Sequence, residues 1–131
     1  MKASAESWLE FARKDLQGAK TLLNEKGLEN LVLFHCQQAI EKLLKAILSE
    51  HNVKFPKIHG TRTLYELILN NISPKPELDE NTLLEIDSVY VDARYPNELG
   101  LLPSGFPTQE ETKRIYEDSK NLFGGLEKLL S

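Results

Sequence analysis

The 131-residue chain has a single cysteine, no long hydrophobic run and no excess of positive charge. Cys36 alone excludes a disulfide framework and a multi-cysteine zinc site, and one thiol suits a reducing compartment. No apolar run approaches the roughly 18 residues that suggest a membrane span, and the N-terminus lacks the apolar stretch of a signal peptide. These absences predict a cytoplasmic protein with no membrane segment.

The charge balance limits the partners. The chain has 16 Lys and Arg residues and 20 Asp and Glu residues, which gives a formal net charge of −4. A surface that coats nucleic acid broadly is therefore disfavoured, although a local basic patch is compatible with the total. The sequence also has no glycine-rich phosphate loop, no H-E-x-x-H and no C-x-x-C, so it predicts neither a cofactor nor a metal.

The aliphatic residues favour helices. The chain has 23 Leu against 7 Ile and 4 Val, and its length fits one domain over residues 1–131. Apolar spacing, Pro and Gly breaks and capping signals at Ser4, Thr63 and Thr108 place the ends of the helices. We predict an all-α fold, an antiparallel (up-down) four-helix bundle with an additional short helix. The predicted helices cover residues 4–25, 28–50, 63–71, 79–94 and 108–130.

The second predicted helix has an unusually broad apolar arc. Apolar residues cover nearly half of its circumference between Val32 and Ile47, and Cys36 belongs to them. An arc of that width predicts burial by more than one neighbour, including a second subunit, and assigns Cys36 to core packing.

Polar residues interrupt this apolar pattern at two places. Asp15 falls on the face that the first helix should bury, so it should have a cationic or multi-donor partner. On the second helix, polar side chains form a stripe that could present donors to phosphate. The alternative is an ordinary solvated face with a Glu41–Lys45 pair. The stripe consists of His35, Gln38, Lys42 and Lys45.

A third feature ends the fourth predicted helix. Tyr90 and Arg94 lie one turn apart, and Tyr95 follows directly before Pro96. An arginine between two tyrosines suits stacking on a base while holding a phosphate. A favourable interaction of Arg94 with the helix dipole is the alternative explanation.

Three segments together carry a family resemblance. They are Trp8…Ala12-x-x-Asp15-Leu16…Ala19, the run Phe34-His-Cys-Gln-Gln-Ala-Ile-Glu-Lys-Leu-Leu-Lys-Ala46, and Ala93-Arg94-Tyr95-Pro96. The chain closely resembles the HEPN family, whose name refers to a nucleotide-binding domain of higher eukaryotes and prokaryotes. The resemblance implies a helical bundle that is frequently dimeric. It also implies work with a minimal nucleotidyltransferase, in a toxin–antitoxin or nucleotide-handling pair.

Many members of the family are metal-independent ribonucleases with an R-x(4–6)-H motif. In this chain no arginine is followed by histidine at that spacing, whether Arg13, Arg62, Arg94 or Arg114. The resemblance is therefore to the non-catalytic, nucleotide-binding branch, and we assign no catalytic residue.

The sequence thus predicts a homodimer that binds a nucleotide or RNA phosphate beside a nucleotidyltransferase partner. Two alternatives stay open at this point. One is a ribonuclease that uses His35 or His59 as an atypical base, and the other is a dimeric interaction module without a ligand. Among the positions that match the family, we expect Asp15 to pair with Lys42 or Arg94. The predicted ligand-binding residues are Asp15, His35, Gln38, Lys42, Lys45, Tyr90, Arg94 and Tyr95.

Overall fold

The structure, a computed structural model, describes residues 1–57, 60–73, 75–94 and 107–130, with the side chains of residues 89–94 outside that description. All regular secondary structure in the described part is helical, which confirms the predicted all-α class. A short 3₁₀ turn, Lys128–Leu130, follows the last helix. The helices are α1 (Ala3–Leu22), α2 (Glu29–Glu50), α3 (Thr61–Asn71), α4 (Glu80–Arg94) and α5 (Gln109–Glu127).

Helix α2 forms the centre of the bundle. The other four helices pack against it, and 14 of its 22 residues are buried. The broad apolar arc is therefore covered within one chain, and burial of α2 does not require a second subunit. Each of the largest aliphatic side chains of its second half, such as Leu43 and Ile47, is fully buried.

Two predicted helix starts are wrong. Ser4 lies inside α1, which begins at Ala3 without a side-chain cap. Helix α3 begins at Thr61 rather than Thr63, so the predicted capping box lies within the helix. By contrast, the box at α5 forms as predicted: the Thr108 hydroxyl accepts from the Glu111 amide at 3.0 Å, and the Glu111 carboxylate accepts from the Thr108 amide at 3.1 Å.

The N-terminus of α3 is capped from another helix. The carboxylate of Asp87, on α4, accepts hydrogen bonds from the Thr61 amide at 3.0 Å, the Thr61 hydroxyl at 2.9 Å and the Arg62 amide at 3.3 Å. These amides would otherwise be unsatisfied at a helix start. One carboxylate therefore fixes α3 against α4.

Cys36 packs in the interior as predicted, in a small cluster with Ala19, Val32 and Tyr116. Burial raises the pKa of its thiol from 9.0 to about 12, opposed by a smaller effect of the Ser119 hydroxyl. The thiol is thus protonated and inert at neutral pH. Within the described ranges, no helix is long and apolar enough to cross a membrane.

Candidate functional site

The carboxylate of Asp15 joins two side chains of α2. Its Oδ1 lies 2.8 Å from Nδ1 of His35, and its Oδ2 accepts a hydrogen bond from Nζ of Lys42 at 2.6 Å. The prediction that Asp15 has a cationic partner is confirmed, with Lys42 as that partner. We call Asp15, His35 and Lys42 the outer polar group, because two of the three side chains reach solvent.

Backbone geometry explains why these three residues meet. His35 and Lys42 are two turns apart on the same face of α2, and Asp15 enters between them from α1. One turn further along α1, Gly18 leaves room for the imidazole: a Cβ at this position would lie 3.7 Å from the His35 ring, in ordinary contact. The ring therefore packs directly on the backbone of α1.

The outer polar group retains hydrogen-bonding capacity that no other described residue uses. The ammonium of Lys42 has three N–H donors and spends one of them on Asp15. The 2.8 Å contact engages Nδ1 of His35 with Asp15 and leaves Nε2 of the ring without a contact to that carboxylate. The side chains of His35 and Lys42 are 31% and 25% exposed, whereas Asp15 is 11% exposed. The carboxylate is thus a buried anchor for two accessible groups.

A second set of polar side chains lies deeper along α2. We call Gln37, Gln38, Glu41 and Lys45 the inner polar group. The Gln38 amide donates to Gln37 Oε1 at 2.8 Å and to Glu41 Oε2 at 3.0 Å. The Lys45 ammonium lies 3.6 Å from Glu41 Oε1, with the two side chains only 10% and 2% exposed.

The inner polar group connects other elements of the bundle. The ammonium of Lys45 lies 5.2 Å from the ring centroid of Trp8 and 5.9 Å from that of Phe55, which also contact each other edge to face. At the other end, the Gln37 amide donates to Asp87 at 3.4 Å. The group thereby links α1, the segment after α2 and the capped start of α3.

The sequence profile of the HEPN domain matches residues 5–129, nearly the whole chain. The chain belongs to the HEPN domain family. Two crystal structures share its fold. The protein TT1696 from Thermus thermophilus is 24% identical, with a TM-score of 0.70 over 98% of this chain and 99% of that one. The archaeal HEPN homologue ST0689 is 17% identical, with a TM-score of 0.69 over the full length of both chains. No curated protein matches the sequence.

In this HEPN domain the predicted polar stripe divides between the two groups. His35 and Lys42 meet at Asp15, whereas Gln38 and Lys45 belong to the inner polar group, where both amide donors of Gln38 and the ammonium of Lys45 have protein partners. Tyr95 and the side chains of Tyr90 and Arg94 lie outside the described residues, and their part in the site stays a prediction. Of the other histidines, His51 is exposed and His59 also lies outside the described part.

Phe11 is the residue that sequence reasoning missed. It is 56% exposed, although phenylalanine is usually buried. The Lys42 ammonium lies 5.9 Å from its ring centroid and that of Lys14 lies 5.7 Å away. The sequence feature that could have identified Phe11 is its place in α1, one turn before Asp15 and at the edge of the apolar stripe. The HEPN domain thus presents an exposed ring beside two cations, while no group of three metal-ligating side chains occurs among the described residues.

Proposed function

We propose that this HEPN-domain protein binds a phosphate of a nucleotide or of RNA at the outer polar group. The observation that carries the proposal is the Asp15–Lys42 contact at 2.6 Å, which holds an ammonium near the surface with two N–H donors that form no hydrogen bond to a described residue. His35 stands on the other side of the same carboxylate and adds a second polar edge.

Phe11 provides the apolar part of this proposed site. An exposed aromatic ring flanked by ammonium groups suits a base that stacks on the ring while its phosphate meets the cations. The Lys42 ammonium serves both contacts, since it lies 5.9 Å from the Phe11 centroid. In this arrangement Arg94, Tyr90 and Tyr95 are proposed as additional contacts to the same ligand, from the end of α4.

The proposed biological role is that of a companion to a minimal nucleotidyltransferase, in a toxin–antitoxin-like pair. Membership of the HEPN family and the absence of an R-x(4–6)-H motif in the sequence support this role over catalysis. A homodimer is part of the proposal. We expect weak affinity for nucleotide without the partner, because one accessible ammonium and one ring offer few contacts.

Calorimetric titration with ATP, GTP and a short RNA tests the binding site. Lys42→Met should weaken binding about tenfold or more, because it removes a charge-assisted hydrogen bond to phosphate. Phe11→Ala should weaken binding of ATP while leaving that of inorganic phosphate unchanged, because only the base stacks. Lys113→Met, at an exposed position of α5, is the matched control. The site is refuted if the Lys42 and Lys113 variants bind equally well.

Co-expression with a minimal nucleotidyltransferase tests the partnership. The proposal predicts a complex that survives gel filtration and binds nucleotide more tightly than either protein alone. A complete lack of association, together with no binding by the mixture, contradicts the companion role.

A specific observation also favours a second function, metal-independent cleavage of RNA. Asp15 orients the His35 ring through Nδ1, as carboxylates do for catalytic imidazoles, so that Nε2 can accept a proton. Nε2 would take the proton of a ribose 2′-hydroxyl as its oxygen attacks the adjacent phosphorus. The bond from phosphorus to the 5′-oxygen then breaks, that oxygen takes a proton from water, and a 2′,3′-cyclic phosphate remains.

Incubation with RNA in EDTA separates the two functions. A ribonuclease cleaves under these conditions and loses about a hundredfold or more of its rate in His35→Ala, because the general base is removed. Arg94→Ala in the same assay tests the predicted phosphate contact. Binding of RNA without cleavage by the wild-type protein supports the companion role alone.

A further inference from the structure

A cleft lies between α1 and α5, on the side of α1 away from the outer polar group. Its volume is about 210 Å³. At about 100° per residue, Arg13, Gln17 and Lys20 lie nearly opposite Asp15 around the axis of α1. The cleft is lined by Arg13, Leu16, Gln17, Lys20, Tyr116 and Lys120.

The charges of this cleft are unbalanced. Three of its six lining residues are cations and none is a carboxylate, in a chain whose net charge is −4. Within the part of the chain that the structure describes, Lys20 and Lys120 form no ion pair. Since Glu127 pairs with Arg13, the positive charge of the cleft that is left without an ion-pair partner among the described residues is that of Lys20 and Lys120, both of which are exposed.

Arg13 is the one cation of the cleft with a fixed partner. Its Nη2 lies 2.6 Å from Glu127 Oε2 and its Nε donates to the same oxygen at 2.8 Å. This contact joins α1 to the end of α5 and holds the guanidinium at the wall of the cleft. The contact with Glu127 does not use Nη1 or the second N–H of Nη2. Guanidinium groups bind phosphate well through paired donors of this kind.

Two of the three neutral lining residues carry groups that can donate to an anion, and the third, Leu16, is apolar. Gln17 has an amide that can donate, and Tyr116 has a hydroxyl. Burial raises the pKa of Tyr116, with smaller contributions from Glu117 and Cys36, so its hydroxyl keeps its proton at neutral pH. The volume is below the roughly 300 Å³ at which pockets for drug-sized ligands begin, so a phosphate or pyrophosphate fits better than a whole nucleotide.

We propose that the α1–α5 cleft is a second binding site, which takes a phosphate or pyrophosphate group between Arg13, Lys20 and Lys120. The group can come from inorganic pyrophosphate or from the end of a nucleoside triphosphate, since both present the same oxygens. The site is independent of the one proposed at Lys42, because the two lie on opposite sides of α1.

Calorimetry with inorganic pyrophosphate at low salt tests the cleft. Lys20→Gln combined with Lys120→Gln should weaken binding about tenfold or more. The matched control combines Lys54→Gln with Lys75→Gln, which removes the same charge at exposed positions outside the cleft. Arg13 is left intact because its ion pair holds α1 to α5. Equal affinity in the two double variants, or no saturable binding by the wild-type protein, overturns the proposal.

Lys42→Met separates this proposal from the preceding one. It should remove any pyrophosphate bound at the outer polar group and leave one saturable site, which the combined Lys20 and Lys120 variant then removes, whereas loss of all pyrophosphate binding in Lys42→Met overturns the cleft site. A parallel titration with ATP identifies the source of the group. If ATP competes with pyrophosphate in the wild-type protein but not in the Lys20→Gln, Lys120→Gln variant, the triphosphate end of ATP enters the cleft. Failure of RNA or nucleotide binding at Lys42 would leave the pyrophosphate result unaffected.

Discussion

Lys42 and Lys45 stand three residues apart on α2, and each pairs with a carboxylate, but solvent reaches them differently. The Lys42 side chain is 25% exposed and meets Asp15 at 2.6 Å, with an exposed aromatic ring beside it. The Lys45 side chain is 10% exposed and meets Glu41 at 3.6 Å, between Trp8 and Phe55. The first lysine is therefore available to a ligand, whereas the second holds the bundle together.

The difference shows why residue type and spacing alone do not define a site. Two residues that are three apart on a helix differ by about 60° in angular position around its axis. That difference is enough to place one side chain at the edge of a helix pair and the other in its interior. Removal of a charged partner should cost little near solvent and much in the interior. The predictions below test this contrast between buried and solvated groups. The expected effects decrease from a thousandfold change in thiol reactivity to a loss of less than about 1 kcal/mol in the free energy of unfolding.

The largest contrast should separate two adjacent residues of α2, Cys36 and His35. Because burial raises the pKa of Cys36 from 9.0 to about 12, its thiolate fraction at pH 8 falls about a thousandfold. A disulfide reagent should therefore label the native thiol far more slowly than the unfolded one, while diethyl pyrocarbonate modifies His35 readily. Rapid labelling of Cys36 in the folded protein would contradict its assignment to the interior.

The same thiol makes stability depend on pH. The folded chain keeps the proton that the unfolded chain releases above pH 9, so the free energy of unfolding should fall as the pH rises from 9 to about 12. Urea titrations at several pH values measure this slope, and Cys36→Ala, which has no thiol to titrate, is the control.

Lys45→Met should cost about 3 kcal/mol of unfolding free energy, because it removes a buried ammonium from Glu41 and from two aromatic rings. Chemical denaturation measures the loss. The double variant Lys45→Met with Glu41→Leu should recover much of it, since a buried ion pair can be replaced by apolar side chains. A single variant as stable as the wild type would place Lys45 with the solvated residues.

Asp87→Ala should cost about 2 kcal/mol, because it removes the acceptor for two backbone amides at the start of α3. Hydrogen exchange should show the amides of Thr61 and Arg62 opening before the rest of the bundle. Asp118→Ala, on the surface of α5, provides the comparison and should cost less than about 0.5 kcal/mol. Equal losses in the two variants would argue against a cap supplied by α4.

Lys42→Met should cost less stability than Lys45→Met or Asp87→Ala, below about 1 kcal/mol, because the lysine is partly solvated and Asp15 retains His35. Thermal unfolding beside Lys45→Met compares the two lysines directly. The contrast between them fails if Lys42→Met destabilises the protein as much as Lys45→Met does.

Much of the fold could be predicted because its signals are local. Leucine-rich spacing at three and four residues defines α1 and α2, and the Thr108–Glu111 capping box forms between neighbours in the chain. The start of α3 could not be predicted this way, since its cap is Asp87, 26 residues later than Thr61. No spacing near Thr61 carries that information.

The candidate site was predictable to a similar degree. A carboxylate on an apolar face needs a partner, and this rule identified Asp15, whereas the family resemblance singled out Lys42 and Arg94 as candidate partners. Phe11 was missed because exposure depends on what the rest of the bundle leaves uncovered. The width of the apolar arc of α2 correctly indicated burial by several neighbours, but those neighbours are the other helices of the same chain.

By itself, the sequence determined the helical class, the HEPN resemblance and the need for a cation at Asp15, because composition, motif and burial cost act on the chain locally. Only the tertiary structure decided which lysine meets that carboxylate and which lies between aromatic rings. It also decided that the cations of α1 and α5 share a cleft. These outcomes depend on how the helices are rotated about their axes when they pack, which the helical periodicity of a single sequence does not contain.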